Sequence, residues 1–287
     1  MINIIKNTLI NIRRRYKFYQ LENYYKIDAS SFLEKLKRER SRDTLIITIA
    51  FNNEQVIEKQ IELLSEFCKD NYMYIVADNS TNKQKSLAIE KICNKHSIFY
   101  YRLPELNPFN GYDPSSSHGA SLNYIWRNII SKLDSVKYLM LLDHDIFPTN
   151  SFSVKEMLGN QDFYGLVKIR ELGWYLWPGF SCFLREYLLN REVNFLPSKY
   201  GDTGSSNYLS IYKYYDLNKI VQATNEYVNL DITDINEKDT YIDQKNRLEL
   251  MDGHWIHLIN AADWAGIGNM DKKFNKMLQF INEKVGK

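Results

Sequence analysis

Between Thr44 and Leu142 the apolar positions alternate between unbroken runs of strand length and stretches that repeat every three or four residues. Thr44-Leu45-Ile46-Ile47-Thr48-Ile49-Ala50-Phe51 is a β-branched apolar run, the pattern of a strand buried on both faces. It breaks at Asn52-Asn53-Glu54, and Val56 to Phe67 then carries a helical period. Met73 to Ala77 reads as a second strand, closed by Asp78-Asn79-Ser80-Thr81, and Lys83 to His96 as a second helix. Ile98 to Arg102 is a third strand. Leu103 to Ser117, punctuated by Pro104, Pro108, Gly111 and Pro114, reads as irregular. Gly119 to Leu133 is expected to be helical, with Ser117 or His118 as its cap, and Lys137 to Leu142 to be the fourth strand, ending in Asp143-His144-Asp145.

Strands and helices alternating at these intervals imply βαβ units, and so an α/β fold with a mainly parallel sheet flanked by helices. In such sheets ligands bind in the crevice beyond the carboxyl ends of the strands. Three polar clusters fall at strand ends of that kind: Asn52 to Glu54, Asp78 to Thr81, and Asp143 to Asp145.

The flanking regions read differently. From Met1 to about Arg40 the chain is expected to be a helical extension. Ile4, Ile5, Thr8, Leu9 and Ile12 share one stripe, and Lys6, Arg13, Arg14, Arg15 and Lys17 lie off it. A basic amphipathic helix suits an anionic membrane surface; packing on its own domain or on a partner subunit is the alternative. Beyond Phe147 the alternation weakens. Gly165 to Arg170 suits a strand, Gly173 to Phe180 is an aromatic segment punctuated by glycine, and Gly201 to Ser206 is a polar turn leading into a Tyr-rich helix. Residues 1–40 are thus expected as an N-terminal segment. Residues 41–165 form a ligand-binding α/β half and 166–287 an acceptor-side half of the same domain.

Composition narrows the classes. The chain has 287 residues, 44% hydrophobic and 25% charged, which suits a folded protein with a substantial core. A net charge of +2 offers no field for nucleic acid, so none is expected as a partner. Cys68, Cys93 and Cys182 are too few and too scattered for a disulfide framework or a zinc motif, which suits reduced thiols in the cytoplasm. No apolar run approaches the ~20 residues needed to cross a bilayer, and no signal peptide is evident. The expected location is therefore cytoplasmic, with the inner membrane face reachable through the first helix.

The sharpest chemistry lies in Asp143-His144-Asp145. Residues two apart on a strand share a face, so Asp143 and Asp145 are expected to grip one hard cation, with His144 facing elsewhere. Mn2+ or Mg2+ prefers oxygen ligands and takes only some of them from carboxylates. At the carboxyl edge of a sheet such an ion neutralises a diphosphate. Trp174, Tyr175 and Trp177 supply flat faces of the kind on which sugar rings stack, which makes them candidate acceptor-binding residues.

The order of these parts resembles the GT-A glycosyltransferases, most of all the family-2 type of nucleotide-sugar enzymes. Four elements carry the resemblance: Phe51-Asn52-Asn53-Glu54, Asp78-Asn79-Ser80, His118-Gly119-Ala120-Ser121-Leu122-Asn123, and the Asp-x-Asp of Asp143 and Asp145. It spans Thr44 to Asp145, and more loosely continues to about Trp264. The resemblance implies a UDP-sugar donor and a glycan or lipid-linked acceptor. It implies Asp145 as the direct metal ligand, and Asp143 on the ribose or the metal. Asp78, Asn79, Asn52 and Glu54 fall beside the nucleotide. A third metal ligand is expected downstream, at His254 or His257, with His257 preferred because Asn260 and Trp264 follow it. The family places its catalytic base in a Glu-Asp pair. This chain has Gly201-Asp202-Thr203-Gly204 instead, so Asp202 is the candidate base and the stereochemical course stays open. The competing readings are metal-dependent nucleotidyl transfer or phosphate-ester hydrolysis, and a non-catalytic glycan-binding subunit of the same fold.

Overall fold

The computed structural model describes residues 19–39, 41–105, 113–230, 247–259, 261 and 270–286. β1 (Thr44–Ala50) is buried along its whole length because it lies between β2 (Tyr72–Asp78) and β4 (Tyr138–Leu142), both parallel to it. Its alternate side chains enter opposite layers. Leu45, Ile47 and Ile49 pack with Phe32, Leu36, Tyr124 and Ile125 on one face, and Ile46 and Ala50 pack with Ile57, Ile61, Leu64 and Ile89 on the other. The unbroken apolar run follows from those two layers, each fully buried Ile or Leu contributing about 1.5–3 kcal/mol.

The main sheet has six strands in the order β3-β2-β1-β4-β7-β6, where β3 is Phe99–Arg102, β6 Phe163–Arg170 and β7 Gly173–Leu184. Only β7 opposes the others, pairing antiparallel with both β4 and β6. The result is the mainly parallel sheet flanked by helices that the GT-A resemblance implies. A second, antiparallel sheet runs β5-β10-β9-β8, built from Ile146–Pro148, Trp255–His257, Arg247–Met251 and Asn225–Asn229. It rests on the helix Met270–Val285, whose Met277 and Ile281 are buried with Val56, Leu63, Leu248 and Ile256.

Most expected elements fall within two residues of their places, with three corrections. The third helix on from the N-terminal segment begins at Pro114, not Gly119; Asp113 caps it by accepting from the Ser116 amide, and Pro114 fills the first turn, where its missing N–H costs nothing. The aromatic segment from Gly173 is the start of β7, laddered to β6 from Gly173 to Leu176 and joined by β4 at Phe180. The Tyr-rich stretch after Gly204 forms short 3-10 turns, Ser205–Tyr208 and Tyr212–Tyr214.

Residues 19–25 are helical and dock on the Pro114 helix. The Asn123 side-chain amide donates to the Tyr25 hydroxyl (3.2 Å), the Asn128 amide donates to the Tyr25 carbonyl (3.1 Å), and the Tyr124 hydroxyl donates to the Ile27 carbonyl (3.0 Å). This part of the N-terminal segment follows the packed alternative. The stripe from Ile4 to Ile12 and its basic flank lie outside the described residues. Among the described residues no helix is long and apolar enough to cross a membrane. All three cysteines are free thiols.

Candidate active site

The carboxyl ends of β1, β2 and β4 are tied into one rim. The Asn79 amide donates to the Ala50 carbonyl (2.9 Å), the Asn52 amide donates to the Ser80 hydroxyl (2.8 Å), and the Phe51 amide donates to His144 Nδ1 (3.2 Å). Asn52 adopts a left-handed backbone at φ 51°, which asparagine tolerates better than most residues. That turn aims its side chain at the β2 loop, where it accepts from the Asn82 amide and donates to the Thr81 hydroxyl. Three polar clusters thus share an edge, as the pattern of the chain implies.

Asp143-His144-Asp145 itself is a turn rather than strand. β4 ends at Leu142, and the Ile146 amide donates back to the Asp143 carbonyl (3.2 Å). The turn, not strand alternation, brings the two carboxylates together. Its backbone is held by Gln60, a fully buried residue of the helix Glu54–Phe67, which donates to the Asp143 carbonyl (2.7 Å) and the Ile146 carbonyl (2.8 Å). The Leu258 amide holds the Asp145 carbonyl (2.8 Å). The His144 ring turns to the end of β1, where its Nδ1 accepts from the Phe51 amide (3.2 Å).

Asp145 is buried, and its carboxylate meets two groups from the far end of the chain. The Ala261 amide donates to Oδ2 (3.2 Å), and His257 Nε2 stands 3.6 Å from Oδ1. Glu249 lies directly across the β9–β10 ladder from His257 and binds its Nδ1 at 2.8 Å. Glu249 also accepts from Asn225 (2.6 Å) and has Lys168 3.8 Å away. Burial alone would raise the Asp145 carboxyl, but His257 and His144 hold it below its ordinary value. For His257, burial pulls downward, and Asp145 and Glu249 outweigh it and raise the pKa. Asp143 is more open. Burial raises its carboxyl, His118 opposes that from 3.5 Å, and Asp145 adds to it.

A divalent ion fits this arrangement on chemical grounds. His257 presents Nε2 to a carboxylate while Nδ1 is held by a second carboxylate, the outer support that metal-bound histidines ordinarily have. Among the described residues no cluster of three His, Cys, Asp or Glu side chains forms a ready-made metal cage. The donors therefore suit an ion that draws its remaining ligands from phosphate and water.

The other expected residues separate into groups. Asp78 is fully buried and engaged by the Ser80 amide, the Ser86 and Tyr100 hydroxyls and Arg102, so its carboxylate ties the β2 end together instead of facing the crevice. Glu54 pairs with Lys85 (2.6 Å), and Asn79 donates to Ser117 (3.0 Å). His254 lies in the turn before β10, against the Asp252 carbonyl and away from Asp145. Asn260 and Trp264 lie outside the described residues. Asp202 is exposed, and the adjoining Thr203 hydroxyl donates to the Ser115 carbonyl (3.0 Å). The Pro114 helix that receives it also sends His118 to Asp143, so the Asp202 turn sits on the same rim. Trp174 and Tyr175 are corrected: β7 is covered on both faces, and both rings are buried in the core. Trp177 alone of the three is partly open. It packs over His257 with ring centroids 5.0 Å apart, and Lys168 lies 5.3 Å from its ring.

Gln60, Glu249, Ala261 and the buried Lys273 carry no motif, whereas His118 opens one of the resembling elements but reads there as a helix cap and not as a neighbour of Asp143. Lys273 donates to the Ile259 carbonyl (2.9 Å); burial pulls its ammonium down to about 8, with Asp145 opposing. Glu249 had a readable signal, since Asp252-Gly253 between apolar runs marks a hairpin that pairs it with His257.

No family model and no curated protein sequence matches the chain. Among solved structures it is similar to a mannosyltransferase from Pyrobaculum calidifontis in complex with GDP-Man and Mn2+, at 15% identity and TM-score 0.38, over 68% of this chain and 60% of that one. It is similar to the bifunctional glycosyltransferase WbbM at 13% identity and TM-score 0.36, over 52% of this chain and 32% of that one. A third is glucosyl-3-phosphoglycerate synthase from Mycobacterium tuberculosis in complex with Mn2+, UDP and glucosyl-3-phosphoglycerate, at 16% identity and TM-score 0.33, over 54% and 62% of the two chains. The chain spans less than two thirds of each of these proteins.

Proposed function

We propose that the chain is a divalent-metal-dependent glycosyltransferase, moving a sugar from a UDP-sugar to a hydroxyl of a glycan or lipid-linked acceptor. The observation that carries this reading is the Asp145–His257–Glu249 relay at the carboxyl edge of a parallel sheet, with Asp143 beside it and open to the crevice. Asp143, Asp145 and His257 would hold Mn2+ or Mg2+. When bound, such an ion neutralises the charge that develops on the departing diphosphate.

The protein's own groups do the rest. Gln60 and the Leu258 amide fix the turn, so the two carboxylates need no reorganisation as charge develops. Asn52, Glu54, Asp78 and Asn79 shape the nucleotide end, with Asn52 and Asn79 at the surface of the crevice and Asp78 bracing them from beneath. Asp202 takes the proton from the attacking acceptor hydroxyl. Trp177 offers the acceptor sugar a flat face. Lys6, Arg13, Arg14, Arg15 and Lys17 supply the contact with an anionic inner membrane face.

Calorimetry with UDP tests the reading. UDP is expected to bind in the presence of Mn2+, to be released by EDTA, and to bind Asp145→Asn with no measurable affinity. UDP binding that is absent, or indifferent to both metal and Asp145, overturns it. Product analysis separates the chemistries: UDP is the expected product with an acceptor present, whereas pyrophosphate or free phosphate would point to nucleotidyl transfer or hydrolysis.

A further inference from the structure

The geometry points to Lys273 as a positioning residue of this site: from the last helix it holds Ile259 in a left-handed backbone conformation and so aims the Ala261 amide at Asp145. The inference rests on the reading of Asp145 as a site carboxylate.

Lys273 is only 2% exposed, and lysine is almost never so deeply buried unless its charge is engaged. Its Nζ donates to the Ile259 carbonyl at 2.9 Å. Ile259 has φ +40°, a conformation in which a β-branched residue is strained. Strain of this kind persists only where the surroundings dictate it, and it concentrates at functional sites. Here the constraints are explicit. The Leu258 amide is fixed on the Asp145 carbonyl (2.8 Å), Lys273 pulls on Ile259, and the Asn53 side chain donates to the Ala261 carbonyl (2.8 Å). The Ala261 amide then reaches Asp145 Oδ2 (3.2 Å). Leu258 and Ala261 thus grip backbone and side chain of one aspartate, with the strained residue between them. The helix that carries Lys273 is seated by Met277 and Ile281, so the pull comes from a fixed point. If the ammonium only filled space, methionine would serve as well. As a positioning group, its loss must be felt at Asp145.

Amide exchange by mass spectrometry, together with Mn2+-dependent UDP binding, tests this on the full chain. Lys273→Met keeps the apolar stem and removes the donor. Exchange in the segment 258–261 should quicken and UDP binding should weaken, each by about tenfold, with exchange elsewhere in the last helix unchanged. Adding Ile259→Gly should bring the UDP affinity back toward the starting protein, because glycine takes the left-handed conformation freely. Asn53→Ser keeps the helix cap but loses the bond to Ala261; it should give the same two changes, and it carries the test if Lys273→Met does not fold. Unaltered exchange in both variants overturns the proposal. So does quickened exchange with undiminished UDP affinity, or failure of the glycine rescue. If the unmutated protein shows no metal-dependent UDP binding, the glycosyltransferase reading falls, and the exchange data alone decide whether Lys273 holds Ile259.

Discussion

Glu249 and His257 face each other across an antiparallel ladder, and the carboxylate binds the imidazole Nδ1 at 2.8 Å. The bond selects which nitrogen is left for Asp145, so Glu249 acts on the site without touching a ligand. Glu249→Gln keeps the shape and loses the charge. Mn2+-dependent UDP affinity is expected to fall about 10–100-fold, as measured by calorimetry. An unchanged affinity would remove His257 from the donor set.

The same pair predicts a pH dependence. His257 is raised in the folded protein, so its contribution is fully present below its ordinary 6.5 and is lost as pH climbs through the folded value. Asp145 and Glu249 are lowered, so theirs is present above 3.8 and 4.5 and is lost as pH falls through their folded values. Asp143, raised, opposes them on the acid side. The metal-free protein should therefore be most stable between these ranges, with its thermal midpoint falling on the alkaline side. Mn2+ competes with the proton on His257, so the midpoint gain from added Mn2+ should grow over that same alkaline rise. A gain that is flat with pH, or that persists in His257→Gln, would contradict the assignment.

Asp202 stands on the rim but outside the carboxylate pair. If it removes the acceptor proton, Asp202→Asn should lower kcat by about 10²–10⁴-fold and leave UDP affinity intact. Initial rates of UDP release against binding in the same sample give the comparison. Equal losses in both would make the residue a binding or folding group.

Gly119 tests the packing beneath the site. A Cβ there would lie 2.5 Å from the Phe195 carbonyl oxygen and 3.0 Å from Leu196 Cα, both backbone atoms. Gly119→Ala must push the Pro114 helix away from the Phe195–Leu196 backbone, and the cost is expected to be about 1–3 kcal/mol in denaturant unfolding. Because Ser115 and His118 ride on that helix, metal-dependent UDP binding should weaken as well.

What the sequence discloses and what it hides divide on physical lines. β1, β2 and β4 are legible because strands covered on both faces must be apolar throughout, and the carboxyl ends of such strands must gather polar residues. The start of the Pro114 helix was also written in the chain, as Asp113 followed by proline, but the surrounding prolines and glycine read as loop. Trp174 and Tyr175 mislead because a central strand with glycines at its bends looks like an exposed aromatic loop until both of its neighbours are known. Lys273 and Gln60 cannot be found by pattern, since each earns its role from a partner 14 and 83 residues away in the chain.

β4 and β7 are hydrogen-bonded neighbours from Tyr138–Leu184 to Leu142–Phe180, and the Asp143 amide continues the ladder onto the Gly179 carbonyl. One continuous ribbon of backbone therefore crosses from the region bearing the acidic turn into the region bearing Trp177 and the Asp202 turn. Bending there would tear the ladder, so the two regions have no hinge between them. Movement at the rim therefore falls to the short peptides that follow the strands, while the floor beneath them is held by the ladder.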